Sequence, residues 1–327
     1  MRSWLLRRLL LCVPTLLGLT LVTFCLSRLA PGGPLAELAG IEQSKPLTQA
    51  QLDATARLLG LDRPLPAQYA DWLWRFVRLD FGESLLPDHR SVRAKIGEAF
   101  AVSFFLQAFA VLLMYGIGVP LGVLGAAKEG RRVDRVLSAG LFLLHSMPTL
   151  LIATVLILLF STGPHALLPM TGLTTPGLRH ESTAALLADV ARHSILPVIC
   201  LTLAGLAGIS RYARAGVIEA LRQPYIQAAR ARGLPERRVL SRHALRNGIL
   251  PVVTLLASVF PWLVGGSVAV ETLFGLPGLG RLSTDSILAR DYPTVMALSV
   301  LVGVAAMLGF LLTDLLYVAL RRRVEFT

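Results

Sequence analysis

The chain is poor in charged residues. Only 16% of its 327 residues are Asp, Glu, Lys or Arg, whereas 54% are hydrophobic, and the mean hydropathy is +0.64. A soluble globular domain carries about 25% charged residues, and a chain of this length would form roughly two such domains. Because the charge is too sparse to coat two soluble domains, the composition excludes an ordinary cytosolic enzyme and a disordered chain. It indicates several membrane spans instead.

Cysteine and lysine are also scarce. The three cysteines, at positions 12, 25 and 200, lie in apolar runs without a CxxC pair, so neither a disulfide framework nor a zinc site is expected. None of the three lysines stands in a Gly-Lys-Ser/Thr sequence, which excludes a Walker A loop for nucleotide phosphates. We therefore expect no cofactor in this chain, and any ATP chemistry must come from another polypeptide.

Six apolar runs approach the length needed to cross a bilayer core, which is roughly 20 helical residues for about 30 Å. They are 9–27, 99–127, 136–160, 194–210, 248–270 and 294–320, of which the fourth is short. The first run follows a pair of arginines, as in a signal peptide, but it is long and lacks a small-residue cleavage site, so we interpret it as a retained helix. The sequence predicts an all-α polytopic membrane protein with six transmembrane helices.

Basic residues are distributed unevenly between the connecting segments. The amino terminus, the loops after the second and fourth runs and the C-terminal tail are rich in Lys and Arg, whereas the short alternate loops hold four arginines. The positive-inside rule therefore predicts that both termini are cytoplasmic and that the long first loop, 28–98, is external. The same flanking arginines account for the net charge of +12, so we expect no nucleic-acid partner.

The long first loop contains predicted helices. A capping-box pattern at 48–51 predicts a short one. Further on, four large apolar residues recur at helical spacing: Tyr69, Trp72, Leu73 and Phe76. The face they form either covers the bundle or lies among the lipid headgroups, or it docks an external partner. The sequence favours the covering role.

The loop after the fourth run predicts two short helices in succession. Pro224 suits the first position of one helix and Gly233 its end, while Pro235 opens the next. Small side chains at Ala228 and Ala229 would let another protein approach the backbone closely. Anchoring by positive charge would explain the arginines of this loop, but not two helices bounded by proline and glycine.

These residues resemble the cytoplasmic EAA loop of permease subunits in binding-protein-dependent ABC transporters, specifically the dipeptide, oligopeptide and nickel group. The matching positions are Gln227-Ala228-Ala229, Gly233, the stretch 243–247 and Leu250-Pro251, although Gln227 replaces the Glu of the motif and so removes a charge. The external stretches 270–281 and 290–293 are similar to the same family, as is 314–317 in the last run. Three arginines at 321–323 stand where the family often has an Asp-Pro element.

The resemblance implies a fold, a function and partners. The fold would be the type I ABC importer permease fold, with a helical external segment between the first two spans. The chain would be a transport subunit, not an enzyme, and would form half of a pathway for peptides or a related solute. Its partners would be a second homologous permease, two ATPase subunits that bind ATP and Mg, an external solute-binding protein and the lipid bilayer. Its location would be the inner or plasma membrane of a bacterium or archaeon.

The resemblance also divides the chain and assigns residues. Residues 1–95 would form the first helix and the external segment, 96–320 the permease domain with its coupling loop at about 221–251, and 321–327 a basic cytoplasmic tail. The expected contacts with the ATPase are Tyr225, Gln227, Ala228, Ala229, Arg232 and Gly233. The external family loop contributes Glu271, Phe274, Pro277, Gly278, Gly280 and Asp291. No catalytic or metal-binding residue is expected.

Polar residues within the apolar runs are candidates for the lining of a pathway, because polar groups are costly in hydrocarbon. They are Gln107, His145 and Ser146. A hydrogen bond to a neighbouring helix is the commoner role for any one of them. Two other function classes find less support: an intramembrane hydrolase would need a motif such as GxSxG or HExxH, which the chain lacks, and an ion-coupled carrier would need paired acids within the spans, where only Asp314 occurs.

Overall fold

The computed structural model describes residues 2–29, 63–163, 166–178 and 182–324. Within these ranges the regular structure is helical, apart from one isolated bridge between Glu83 and Ser91. The helices are α1 (Arg2–Leu29), α2 (Leu65–Val77), α3 (Val92–Ala127), α4 (Arg132–Ser146), α5 (Thr149–Phe160), α6 (Thr183–Leu221), α7 (Pro224–Ala231), α8 (Glu236–Arg238), α9 (Leu245–Gly248), α10 (Leu250–Thr254), α11 (Val259–Gly265), α12 (Val268–Leu273), α13 (Leu279–Leu288) and α14 (Tyr292–Val324). A π-helical segment, Val239–Ala244, joins α8 to α9, and a 3₁₀ turn, Leu255–Ser258, joins α10 to α11.

Five helical stretches of the described chain are long and apolar enough to cross a membrane, and a sixth is reached if α4 and α5 form one bent span. The five stretches are Leu10–Leu29, Val92–Ala127, Thr183–Leu221, Glu236–Leu273 and Tyr292–Leu316. The prediction of an all-α polytopic protein is confirmed.

Three predicted spans differ from the structure in shape. The third breaks at Met147, and α4 and α5 meet at 100°, because Pro148 lacks an N–H and disfavours a helical conformation in the residue before it. The fourth is not short: α6 has 39 residues, because the helix continues through the charged residues that flank the apolar run 194–210. The fifth is a chain of short helices with a break at Gly266, whose φ is +66°.

The two longest helices, α3 and α6, pack almost backbone to backbone. A Cβ atom on Gly122 would lie 2.4 Å from the carbonyl oxygen of Ser210 and 2.7 Å from the Cβ of Ala213. Without a strong hydrophobic drive between helices in lipid, small residues at the contact allow the close van der Waals packing that holds them together. This pair is the frame that carries the shorter elements at both ends of the molecule.

Helix α2 lies against α1. The Tyr69 hydroxyl is 2.8 Å from the Thr20 hydroxyl, and the Phe24 ring centroid is 5.5 Å from that of Tyr69 and 6.0 Å from that of Trp72. The aromatic face predicted for this helix is therefore occupied by the chain itself, which supports the covering role over docking. The helix predicted at 48–51 lies outside the described residues.

Candidate functional site

Helix α7 is a short surface helix attached to the body of the protein by one face. Its only large aliphatic side chain, Ile226, is fully buried, and Ala229, one turn later on the same face, is 6% exposed. Both pack in a cluster with Val217 of α6 and with Val239 and Ala244 of the π-helical segment. The helix is therefore packed against both α6 and the segment that leads into the fifth span.

The opposite face of α7 is open. The side chains of Tyr225, Gln227, Ala228 and Arg232 are exposed. Ala229, which the sequence analysis placed with Ala228 at a surface for a partner, faces the interior instead, because it shares the i, i+3 stripe of Ile226. That spacing is visible in the sequence and is the signal that distinguishes the two alanines.

The end of α7 has a fixed geometry. Gly233 has φ +78°, the left-handed conformation that glycine adopts without a Cβ penalty, as predicted from its position. Arg230 donates to both carboxylate oxygens of Glu236, at 3.1 and 2.5 Å. This bidentate hydrogen bond raises the pKa of Arg230 and connects α7 to α8 across the turn.

A second connection joins α7 to the fifth span. Asn247 of α9 donates from its amide nitrogen to the Tyr225 hydroxyl at 2.9 Å. Next to it, α9 meets α6 so closely that a Cβ on Gly216 would lie 2.1 Å from the carbonyl oxygen of Gly248. Helix α7 is therefore connected to two membrane spans by packed side chains and by one side-chain hydrogen bond.

At the other end of the molecule, Glu271 organises the loop between α12 and α13. Its carboxylate is 2% exposed and accepts hydrogen bonds from the backbone N–H groups of Ser267 (3.0 Å), Gly280 (2.7 Å) and Arg281 (3.1 Å) and from the Ser103 hydroxyl (2.8 Å). The N–H groups of Gly280 and Arg281 belong to the first turn of α13, where a negative charge is favoured. Glu271 thus caps α13 although it lies outside that helix in the sequence, and it also joins α13 to α3.

Two positions around this carboxylate require glycine, because there is no space for a Cβ atom. A Cβ on Gly278 would lie 2.4 Å from Oε2 of Glu271, and one on Gly280 would lie 2.6 Å from the backbone nitrogen of Val268. Of the other predicted members of this loop, Phe274 is buried in the core, whereas Pro277 is exposed. Most of the predicted external residues therefore shape the loop, and few of them present side chains to a partner.

Asp291 fixes the segment before α3 to the start of α14. Its fully buried carboxylate accepts from the Ser84 hydroxyl (2.6 Å), the Leu85 N–H (3.0 Å) and the Thr294 hydroxyl (2.6 Å). Lys95 donates to Ser84 at 2.8 Å and to Asp88 at 2.6 Å. The hydrogen bond from Lys95 lowers the pKa of Asp88. Neither Ser84 nor Lys95 was predicted as a member of this cluster, because the cluster is centred on Asp291, which lies 207 positions from Ser84.

A third polar cluster was also missed. Arg214 of α6 binds Asp134 at the start of α4 through two hydrogen bonds of 2.7 Å, and the Gly130 N–H donates to the same carboxylate at 3.0 Å. Arg222, near the end of α6, pairs with Glu129 at 3.0 Å. The loop between α3 and α4 is therefore clamped to the part of α6 that carries α7.

The three candidate pathway residues have different surroundings. Gln107 is buried within the packing of α3. Ser146 is exposed and donates to the carbonyl of Phe142 at 2.9 Å, within its own helix. His145, exposed at the end of α4, lines two adjoining clefts. Among the described residues, no group of three or more His, Cys, Asp or Glu is arranged to hold a metal ion.

Comparison with known proteins gives two family matches and several full-length relatives. A family described as "Binding-protein-dependent transport system inner membrane component" matches residues 118–326, and its N-terminal counterpart matches residues 1–85. The chain is 33% identical over 326 residues to the oligopeptide transport system permease protein AppB of Bacillus subtilis (strain 168), covering 100% of both chains. It is 37% identical over 330 residues to the oligopeptide permease protein OppB of Mycobacterium bovis, and 36% identical over 342 residues to the dipeptide permease protein DppB of Escherichia coli (strain K12), with 99% of each chain covered.

Proposed function

The chain belongs to the family of binding-protein-dependent transport system inner membrane components, and from that membership we propose that it is one permease half of an ATP-driven importer of peptides. The relatives named as oligopeptide and dipeptide permeases match it from end to end, which supports a peptide cargo. A second, homologous permease would supply the other half of the pathway. An external solute-binding protein would deliver the cargo.

The observation that carries this proposal is the two-faced helix α7. Its inner face, Ile226 and Ala229, is packed into the body of the protein, while Gln227, Ala228 and Arg232 are exposed. A helix of eight residues is only about 12 Å long, which suits insertion into one cleft of an ATPase subunit. Two such ATPases would bind ATP and Mg, and each would move the α7 against which it lies.

Coupling then follows from the contacts of α7. When ATP draws the ATPases together, a push on α7 reaches α6 through Ile226 and Ala229 and reaches the fifth span through Tyr225 and Asn247. The Asp134–Arg214 clamp carries the same displacement to α4. The chain itself breaks no bond. It converts movement of the ATPases into reorientation of its spans.

The proposal includes an orientation and a division of the chain. With α7 facing the ATPases in the cytoplasm, both termini are cytoplasmic, and the clusters around Glu271 and Asp291 face outward toward the binding protein. Residues 1–95 carry the first helix and external segment, 96–320 carry the permease domain with its coupling loop at about 221–251, and 321–327 form a basic tail. The location is the inner or plasma membrane of a prokaryotic cell.

Reconstitution tests the proposed function. The chain is co-expressed with a homologous permease, ATPase subunits and a solute-binding protein from the same genome, and the purified complex is placed in proteoliposomes. We expect peptide uptake that requires ATP on the ATPase side and the binding protein on the opposite side. Uptake driven by a proton gradient without ATPases would contradict the proposal and would restore the ion-coupled carrier.

A further inference from the structure

Two clefts adjoin in the described part of the chain: one lies between α4 and α6, and the other lies between α3, α6 and α11, with His145 of α4 also lining it. The first, of about 450 Å³, is lined by residues that include Phe142, His145 and Arg211, and the second, of about 320 Å³, by residues that include His145 and Trp262. His145 and Gly208 line both, so the clefts are two lobes of one depression. Each lobe lies within the size range of small-ligand sites.

The first lobe carries an unbalanced positive charge. Arg214 also lines it, but its guanidinium is neutralised by Asp134. Arg211, one turn nearer the middle of α6, is exposed and makes no ion pair within the described residues, and no carboxylate is among the described lining residues of either lobe. Arg211 directly follows the apolar run 194–210 and lies about 15 Å before the end of α6 at Leu221, so its charge stands at the border of the apolar part of the span, where it lines the first lobe.

The second lobe has a different chemistry. Its polar and aromatic lining is Tyr115, His145, Tyr212 and Trp262. Flat rings offer large apolar contact area together with hydrogen-bonding groups at their edges, so they can accept side chains of varied shape. The depression as a whole therefore joins a cationic lobe to an aromatic one.

We propose that this depression is a cargo-contact site, in which Arg211 and His145 receive the C-terminal carboxylate of a peptide and the aromatic lobe receives its side chains. The inference rests on the proposed function and adds to it the chemistry by which this chain holds its cargo. A guanidinium binds a carboxylate through two parallel charge-assisted hydrogen bonds, and His145 supplies a further donor from the facing helix. Passage then favours peptides with a free C terminus.

A lipid phosphate offers the same anionic chemistry as a peptide carboxylate, and the experiment separates them. The complete transporter is reconstituted in vesicles of phosphatidylcholine alone and in vesicles that also contain phosphatidylglycerol. Both are supplied with a pool of synthetic free-acid peptides and the same peptides as C-terminal amides. Uptake of each form is measured by mass spectrometry and normalised to ATP hydrolysed. The variants are Arg211→Gln and Arg211→Lys, and Arg192→Gln on the same helix, away from the depression, is the matched control.

We expect Arg211→Gln to lower free-acid uptake about tenfold in both kinds of vesicle, the effect of losing one charge-assisted pair, and to change amide uptake less than about twofold. Arg211→Lys should restore most free-acid uptake, and Arg192→Gln should match the wild type. Unchanged free-acid uptake in Arg211→Gln, an equal loss for acids and amides, or a loss confined to phosphatidylglycerol vesicles would overturn the assignment. A wild-type complex that takes up no peptide would instead refute the proposed function, so the two failures are distinguishable.

Discussion

At the scale of single residues, the end of the molecule around α13 depends on two buried carboxylates, neither of which forms an ion pair with a cation of the described residues. Glu271 is held by three backbone N–H groups and one hydroxyl, and Asp291 by one N–H and two hydroxyls. Hydrogen bonds to an ionised group are stronger than neutral ones, and a donor left unpaired in the interior costs the full loss of its hydration. A substitution that changes a single atom of either acid should therefore have a large effect on the stability of the fold.

Glu271→Gln should destabilise the external loop, because the amide places a donor where the carboxylate accepts from Gly280 and Arg281. One unsatisfied buried donor costs about 1–3 kcal/mol. We expect a lower midpoint of thermal unfolding for the detergent-purified chain. Gly278→Ala should act in the same direction, because its Cβ would lie 2.4 Å from Oε2 of Glu271. Glu83→Gln, at an exposed position, is the control. If its midpoint of thermal unfolding were as low as that of Glu271→Gln, the loss of a negative charge alone would account for the destabilisation.

At the scale of elements, α7 was predictable in its bounds and only half predictable in its orientation. Proline at its start and glycine after its end define it by local backbone chemistry, which the sequence contains. Its inner face depends on what surrounds it, and the interpretation of Ala228 and Ala229 as one surface was wrong for Ala229. The Ser103–Glu271 and Arg214–Asp134 contacts lie beyond sequence analysis altogether, since they join residues 168 and 80 positions apart.

The two alanines give a matched pair of substitutions. Ala228→Trp should release the ATPase subunit from a permease that stays folded, because its bulk projects into the space an ATPase would fill. Ala229→Trp should instead destabilise the permease, since overpacking a full interior costs about 1–3 kcal/mol. Co-purification of the ATPase and the thermal midpoint of the permease separate the two effects.

Arg232→Gln, at the exposed residue that follows α7, serves as the control for that pair. The helix dipole at this end makes one exposed charge worth only about 0.3–1 kcal/mol, so the ATPase should stay bound and become more sensitive to salt. Loss of the ATPase at low salt in Arg232→Gln, with retention in Ala228→Trp, would mean that charge and not shape holds the complex together.

At the scale of the whole molecule, the apolar composition and the uneven distribution of charge predicted a membrane protein. Both are properties that a chain needs when a bilayer is its solvent. The bounds of the spans were less predictable. Charged residues were taken as span ends, yet α6 continues past Arg192 and Arg211 to 39 residues. Pro148 accounts for the break in the third span by local backbone chemistry, but the angle of 100° between α4 and α5 was not predictable from the sequence. Such angles depend on tertiary contacts that no local pattern contains.

The proposed orientation predicts opposite accessibility for two exposed positions. In a background with Cys12, Cys25 and Cys200 replaced by alanine, Pro87→Cys should react with a membrane-impermeant maleimide in intact cells, and Ala231→Cys only in inverted vesicles. Both positions are exposed, so an absence of labelling is informative. Reaction of Pro87→Cys from the cytoplasmic side alone would reverse the topology.

The sharp bend at Met147 and Pro148 also limits what this side of the chain can face in a bilayer. Met147 donates its N–H to the Leu144 carbonyl at 3.3 Å, but Pro148 has no N–H to donate, so α4 ends with carbonyls that lack the partners of a continuous helix. Hydrocarbon cannot satisfy such groups, so irregular backbone at membrane depth persists only where protein covers it or where it borders an aqueous space. His145, two residues before the bend, lines both clefts. The side of the chain that carries the bend and these clefts therefore cannot face lipid in the membrane.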